Sequence, residues 1–290
     1  MKHCSLRTTI VRALGATLAL LSIALSQPEP RGQTLSYSSQ NAAANELLSP
    51  VVELRQYTTH PGQRDVLIDL FEREFIESQE AVGARVIGEF RDLDNPDLFF
   101  WLRGFADMPA RAWALTEFYG GPTWKAHREA ANATMMDSDN VLLLRPARTN
   151  SAFRLSTSAR PHPGASAPAA FMLATIYYLR AAPADGFVDW FEHAMEPQVR
   201  SAGATLLAAF TTETSPNNFP KLPVREGENA FAWFACFPDT DAYDRYVAAL
   251  AHSAAWRELS AELAVRLKYL PEVHRLAPAP RSLLRSCPAP

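Results

Sequence analysis

Residues 84–105, ARVIGEFRDLDNPDLFFWLRGF, hold two apolar, aromatic-rich runs either side of the polar segment DLDNPD. Gly83 precedes a strand expected at Ala84–Arg91, Asp92–Asp97 is turn chemistry, and Leu98–Phe105 returns as the second strand of a hairpin. Toward the N-terminus, residues 63–81 place Val66, Leu67, Leu70, Phe71 and Phe75 at helical spacing. Before them, Val51–Thr59 has the alternation and β-branching of a strand. Toward the C-terminus, helices are expected at Met108–Tyr119 and Pro122–Met135, then a strand at Val141–Pro146. The order is βαββααβ.

The same order returns downstream. A strand is expected at Phe171–Leu179, a helix at Ala184–Ala202, and a hairpin of Ala204–Thr212 and Asn229–Phe237 around a longer, Pro-containing loop. Helices at Asp241–Leu250 and Ala254–Leu267 and a strand at Tyr269–Leu276 close the unit. At a constant offset of 120, Asp69, Phe71, Glu72, Gly83, Ala84 and Phe90 match Asp189, Phe191, Glu192, Gly203, Ala204 and Phe210. Past the longer loop the offset becomes 132, and Trp101, Phe105, Asp107, Trp124, Val141 and Leu144 match Trp233, Phe237, Asp239, Trp256, Val273 and Leu276. Register kept across a whole domain is the mark of an internal repeat. The fold class expected is α+β, with two tandem ferredoxin-like domains at 50–147 and 170–278. A four-stranded sheet with helices on one face needs cover on the other. The second copy can supply it, giving an intramolecular barrel; pairing with another chain is the alternative.

Outside the repeats, 27–49 and 148–169 read as linkers, poor in apolar periodicity, and 279–290 as a loose tail. Lys2, Arg7 and Arg12 precede an apolar run, Ala13–Leu25, ahead of small residues, so 1–26 resembles a secretory signal peptide. Secretion or delivery to a periplasm is the expectation, with an uncleaved membrane anchor the alternative. Loss of 1–26 removes three cations and no acid, moving the formal charge from −3 to −6. No nucleic-acid partner is expected of such a chain, which has no basic run, and no stable membrane insertion after cleavage. Of the two cysteines then left, Cys236 is expected as a buried thiol and Cys287 as a free tail thiol, a disulfide between them being possible.

In the expected helix after Gly121, Trp124, His127, Arg128, Ala131, Asn132 and Met135 share one face. The repeat serves as an internal control. His127, Arg128 and Asn132 fall opposite Leu259, Ser260 and Ala264; Glu89, Arg91 and Arg103 opposite Ala209, Thr211 and Ala235; Arg55 opposite Thr175. The second copy has lost the ionic groups while keeping the tryptophans. Alternation puts Glu53, Arg55 and Tyr57 on one face of their strand, Arg85, Ile87, Glu89 and Arg91 on one face of the next, and Phe99, Trp101, Arg103 and Phe105 on one face of the third. One account is a structural network pairing Glu89 with Arg55 or Arg103. The other is a pocket between this sheet and the Trp124 helix. There His127 is the proton-transfer candidate, Arg128 or Arg103 holds an anionic oxygen, Asn132 orients it, and Tyr57 and Trp101 form an apolar wall. Trp124, Arg55 and Glu89 complete the expected ligand-binding set. His193 and Glu196 at i, i+3 are a weak metal pair, and no metal site is expected. His60 reads as a turn residue, and His252 and His274 have no evident partners.

The segments VVELRQYTTHPGQRDVLIDLFEREF (51–75), VIGEFRD (86–92), FFWLRGF (99–105) and FYGGPTWKAHREAANATM (118–135) resemble the NIPSNAP family of the dimeric α+β barrel superfamily. Residues 171–276 look like a degenerate second copy. The resemblance implies the barrel fold and a ligand position between sheet and helices. It leaves function open, because the superfamily includes cofactor-free monooxygenases, haem-binding enzymes and muconolactone isomerases. Three readings follow: an exported binding module for a small aromatic or lipophilic molecule, a cofactor-free monooxygenase- or isomerase-like enzyme, and an interaction or scaffold protein. No cofactor is expected, with haem left open through His127 as an axial ligand, and a homo-oligomer is a possible assembly.

Overall fold

A computed structural model describes residues 46–47, 49–156 and 160–288; the expected signal peptide lies outside the described residues. Eight strands form one closed antiparallel barrel. In chain order they are β1 (Val51–Thr59), β2 (Arg85–Asp92), β3 (Leu98–Phe105), β4 (Met135–Pro146), β5 (Phe171–Tyr178), β6 (Thr205–Thr212), β7 (Ala230–Phe237) and β8 (Glu272–Pro278). Around the barrel they run β8-β2-β3-β1-β4-β6-β7-β5, with β5 back on β8. Each half supplies four adjacent strands. The seams join the fourth strand of one half to the second of the other, Leu144 opposite Thr212 and Leu276 opposite Asp92. Closure leaves no barrel edge strand unpaired, which is the physical gain of joining two half-barrels in one chain.

The helices pack outside. α1 runs through Arg64–Leu70, a π-helical turn at Phe71–Phe75, and Ile76–Glu80; α2 is Met108–Gly120 and α3 Pro122–Asn132. In the second half α4 runs through Phe187–Trp190, a π-helical turn at Phe191–Met195, and Glu196–Ser201; α5 is Thr240–His252 and α6 Ala254–Arg266. The π turns fall at the same offset of 120. In α1 the wider turn lets the adjacent Phe75 and Ile76 both be buried. Asp107 and Asp239 cap α2 and α5 alike, accepting from Ala110 and Ala242 backbone N–H groups.

Strands buried on both faces read as apolar runs, and all eight residues of β3, β5 and β7 are buried. Val52, Leu54, Phe100, Leu102, Leu142 and Leu144 face the barrel interior with Met172, Ile176, Phe210 and Phe234. Alternate residues face the helices.

Several expectations need correction. Parts of the 148–169 linker and of the 279–290 tail pack into the barrel. Phe153 and Leu155 enter the barrel core, Phe153 lying 5.1 and 5.0 Å from the rings of Phe210 and Phe234. From the tail, Leu284 joins the same core with Leu283 and Cys287 packed on it. A closed barrel needs its interior filled, and short apolar stretches without periodicity are enough to do so. Cys236 and Cys287 form a disulfide, so the expectation of two separate thiols fails; the tail's packing brings their Cα atoms to 5.6 Å. A β-bulge between Val86 and Gly88 turns Ile87 into the barrel while Val86 and Glu89 face outward, breaking the single face expected for β2. α3 ends at Asn132, and Met135 begins a longer β4, because residues 135–140 continue the ladder along β1 as far as Thr59. His274 does have partners: its Nδ1 is 2.7 Å from Asp92 Oδ2, and its Nε2 is 3.9 Å from Glu272.

Candidate functional site

Between the outer face of the first half-sheet and its helices lies a cluster of charged side chains with no solvent exposure. Glu53 on β1 is its centre. Its Oε2 accepts from Arg55 Nη1 at 2.8 Å and from Arg103 Nε and Nη2 at 3.1 and 2.5 Å, and its Oε1 from Arg111 Nε at 2.6 Å. The placement follows from register: Glu53 lies opposite Arg103, and Arg55 follows two residues on, on the same face. Arg111 reaches in from α2. Burial alone would raise the Glu53 pKa; the charges of Arg103, Arg55 and Arg111 outweigh it and hold the carboxyl well below the usual range.

The outer ends of the cluster meet polar groups. Arg55 Nε donates to Tyr57 Oη at 2.7 Å, and Arg103 Nη1 to Gln79 Oε1 at 2.8 Å. Arg111 Nη1 donates to Asn217 and Asn218 Oδ1 at 3.0 and 2.7 Å. Those asparagines belong to the long β6–β7 loop, an arm that the second half extends over the first. Asn218 Nδ2 also donates to the Met108 carbonyl at 2.6 Å, and Phe219 stacks on Tyr119 at 5.9 Å. Burial pushes the Tyr57 hydroxyl up to about 12, so it stays protonated at neutral pH.

Beside the cluster lies a cavity of about 100 Å³. Tyr57, Phe71, Phe75, Trp101, Phe118 and Trp124 form its aromatic wall, and Gln79, Asn132 and Leu222 contribute as well. Trp101 joins the two features. Its ring packs edge-on against Phe71 at 4.8 Å, and the Arg55 and Arg103 guanidiniums lie 5.5 and 5.1 Å from it. Edge-to-face pairs continue around the cavity, Tyr57 on Trp101 at 5.7 Å and Tyr119 on Trp124 at 4.9 Å.

Of the residues singled out in the sequence, Arg55, Tyr57, Trp101 and Arg103 come together, and Trp124 and Asn132 line the cavity. The rest do not join them. His127 is half-buried against Phe75, its Nε2 3.4 Å from Glu74 Oε2, and Arg128 is exposed. α3 buries only Ala131 fully, so it rests on the domain by a narrow stripe and leaves the middle of its polar half outside. Glu89 does not pair with Arg55 or Arg103. In register Trp101 stands between Arg55 and Glu89, and Glu53 takes the arginines instead. The nearest cation to Glu89 is Arg160 at 3.9 Å; burial pushes its carboxyl up to about 8. The weak metal pair is engaged elsewhere, His193 with the Asp189 carbonyl and Glu196 with Arg200. Among the described residues no group of three or more His, Cys, Asp or Glu could hold a metal ion.

Sequence reasoning missed Glu53 as the centre, and Gln79, Arg111 and the asparagines altogether. The repeat offered a signal for three of these: Glu53, Gln79 and Arg111 fall opposite Leu173, Val199 and Tyr243. Nothing local marked the arm.

The chain resembles a protein of Lactobacillus acidophilus NCFM, a monooxygenase by provisional assignment, at 16% identity and a TM-score of 0.50, over 79% of this chain and 94% of that one. It resembles an anthrone oxidase-like protein at 12% identity and a TM-score of 0.51, over 79% and 91%. An uncharacterised NIPSNAP-like domain protein from Burkholderia xenovorans is 22% identical over 42% of this chain and 92% of that one, with a TM-score of 0.33. No curated protein matches the chain in sequence. The NIPSNAP family model matches residues 52–150, the span that carries the charged cluster's Glu53, Arg55, Arg103 and Arg111. Residues 52–150 thus carry a NIPSNAP domain, which makes up about a third of the chain.

Proposed function

We propose that this protein binds a small aromatic or lipophilic molecule in the first-half cavity. The observation that carries the reading is the aromatic-walled space beside Trp124, bordered by a polar cluster the fold does not require. Its volume of about 100 Å³ is of the order of the roughly 150 Å³ apolar cavity that accepts a benzene ring, so the occupant is a single ring or similar. A scaffold role would call for close packing at this point. Export fits the same picture, since the Cys236–Cys287 disulfide suits an oxidising compartment.

Ala131, 1% exposed on the cavity wall, offers the test. Titration with single-ring compounds, read through tryptophan fluorescence, is expected to saturate for the native protein. The Ala131→Leu variant, whose side chain fills the space, is expected to lose at least tenfold in affinity while keeping its circular dichroism. An unchanged titration in that variant removes the cavity from consideration.

A second reading, a cofactor-free monooxygenase- or isomerase-like enzyme, draws on the fold shared with the two oxidase-type structures and on analogy alone. It has no support from His127, which is paired with Glu74 and absent from the cavity wall. Nor is haem proposed: this cavity has no room for a porphyrin. Oxygen uptake on adding a bound ring compound would promote the enzyme reading over simple binding.

A further inference from the structure

Glu53 is the acid that pairs with three arginines, so the cluster carries two positive charges more than it neutralises, with no solvent exposure. Guanidinium groups do not shed protons to relieve this. The remaining partners, Tyr57, Gln79, Asn217 and Asn218, are neutral acceptors. Even so, Nη2 of Arg55 and Nη2 of Arg111 are buried with no hydrogen-bond partner among the described residues. A buried excess of positive charge is among the costliest features a protein can keep.

The second half separates what the fold imposes from what it does not. Trp101 Nε1 is also buried and unpartnered, but so is Nε1 of its counterpart Trp233, so that feature belongs to the architecture. The unpartnered arginine nitrogens have no such counterpart. Arg55, Arg103 and Arg111 correspond to Thr175, Ala235 and Tyr243, and Glu53 and Gln79 to Leu173 and Val199. Leu173, Val199 and Ala235 are buried there as ordinary apolar core, with a half-buried Tyr243 packed against it. A network kept for stability alone would be balanced or apolar.

We infer that the molecule bound in the first-half cavity is an organic anion, a single-ring carboxylate or phenolate, whose charge Arg55 receives. The inference rests on the ring-binding reading above and names the ligand's chemistry. The aromatic wall takes the ring, and the unpartnered Nη2 of Arg55 presents its N–H donors to an oxygen atom. Arg55 is the link between the two parts, because its guanidinium lies 5.2 Å from the Tyr57 ring and 5.5 Å from Trp101, both of them cavity walls.

Calorimetric titration of the full chain at pH 7 with benzoate and with its neutral isostere benzamide tests this. Benzoate is expected to bind at least tenfold more tightly, and the two are expected to compete. Arg55→Gln is expected to cost benzoate tenfold or more and benzamide less than twofold. Should that variant not fold, the benzoate-to-benzamide ratio in the native protein decides, together with loss of benzoate binding in Ala131→Leu. Equal affinity for the two compounds overturns the anion and leaves the ring pocket standing. Benzoate binding untouched by Ala131→Leu places it elsewhere and also overturns the anion inference. Failure of both compounds to bind overturns the pocket reading and this inference with it.

Discussion

The two halves of the barrel share an aromatic frame and differ in what they hold inside it. Tyr57, Phe71 and Trp101 in the first half recur as Tyr177, Phe191 and Trp233 in the second, and each half threads a π turn through its first helix at the same position. In the first half this frame surrounds Glu53 and three arginines; in the second it surrounds Leu173, Thr175, Ala235 and Tyr243. The frame therefore belongs to the architecture, and the charges are an addition to it. π turns often mark functional sites, but one found in both halves reports packing. The arm is the other asymmetry. The first half's hairpin turn is short, whereas its counterpart crosses to the opposite half, caps Arg111 through Asn217 and Asn218, and puts Leu222 on the cavity wall.

Removing the central acid is the strongest way to break this comparison. Glu53→Ala leaves three buried guanidiniums without a counter-charge and is expected to destabilise the protein by about 3–5 kcal/mol, measured by urea unfolding. Writing the second half's residues into the first, as Glu53→Leu, Arg55→Thr, Arg103→Ala and Arg111→Tyr together, is expected to recover most of that loss. Such replacements of buried ion groups are often neutral or stabilising by about 1–4 kcal/mol. If the fourfold variant is as unstable as Glu53→Ala, the halves are not interchangeable frames.

The tail distinguishes the halves next. Cys287 ties the C-terminus to Cys236 on the second half's β7, across a separation of 51 residues. Cys287→Ala is expected to lower stability by about 2–4 kcal/mol and to make the melting temperature insensitive to dithiothreitol. A native protein whose melting temperature ignores reductant would show that apolar packing of Leu283 and Leu284 holds the tail unaided.

The seams give the smallest effect. At the β2–β8 seam His274 meets Asp92, whereas the corresponding residues in the first half's β4 and the second half's β6 are Leu142 and Thr212. Burial alone would lower the His274 pKa, but its hydrogen bond to Asp92 and the nearby charges of Asp92 and Glu272 raise it to about 9. The folded value lies above the unfolded one, near 6.5. The contribution is therefore complete below about pH 6.5 and is lost as pH rises through 9. Unfolding free energies of native protein and His274→Gln, compared from pH 6 to 10, are expected to converge at the alkaline end. A constant gap would assign the effect of His274 to packing.

Much of this architecture is legible in the sequence. Strands buried on both faces announce themselves as apolar runs, and residue matches at offsets of 120 and then 132 relate the order of elements in the two halves. Alternation also placed Arg55, Tyr57, Trp101 and Arg103 on covered faces. It could not say which acid they meet. Glu89 and Glu53 looked equivalent as strand carboxylates; inter-strand register set Glu53 opposite Arg103 and put Trp101 between Arg55 and Glu89. His127 and Arg128 misled for a different reason. A face of helical period says which side may be covered but not how wide the covered stripe is, and α3 touches the domain along a narrow one.

By itself, then, the sequence determined the eight-strand plan, its division into halves, and the loss of charge from the second, because periodicity and offset are properties of the chain alone. The tertiary structure decided everything that depends on distant segments meeting. It brought Arg111 and Gln79 from two helices onto Glu53, carried the arm across to cap them, and drew Phe153, Leu155 and Leu284 into the barrel. Those outcomes rest on filling space and pairing charges in three dimensions, and neither has a period that a sequence can display.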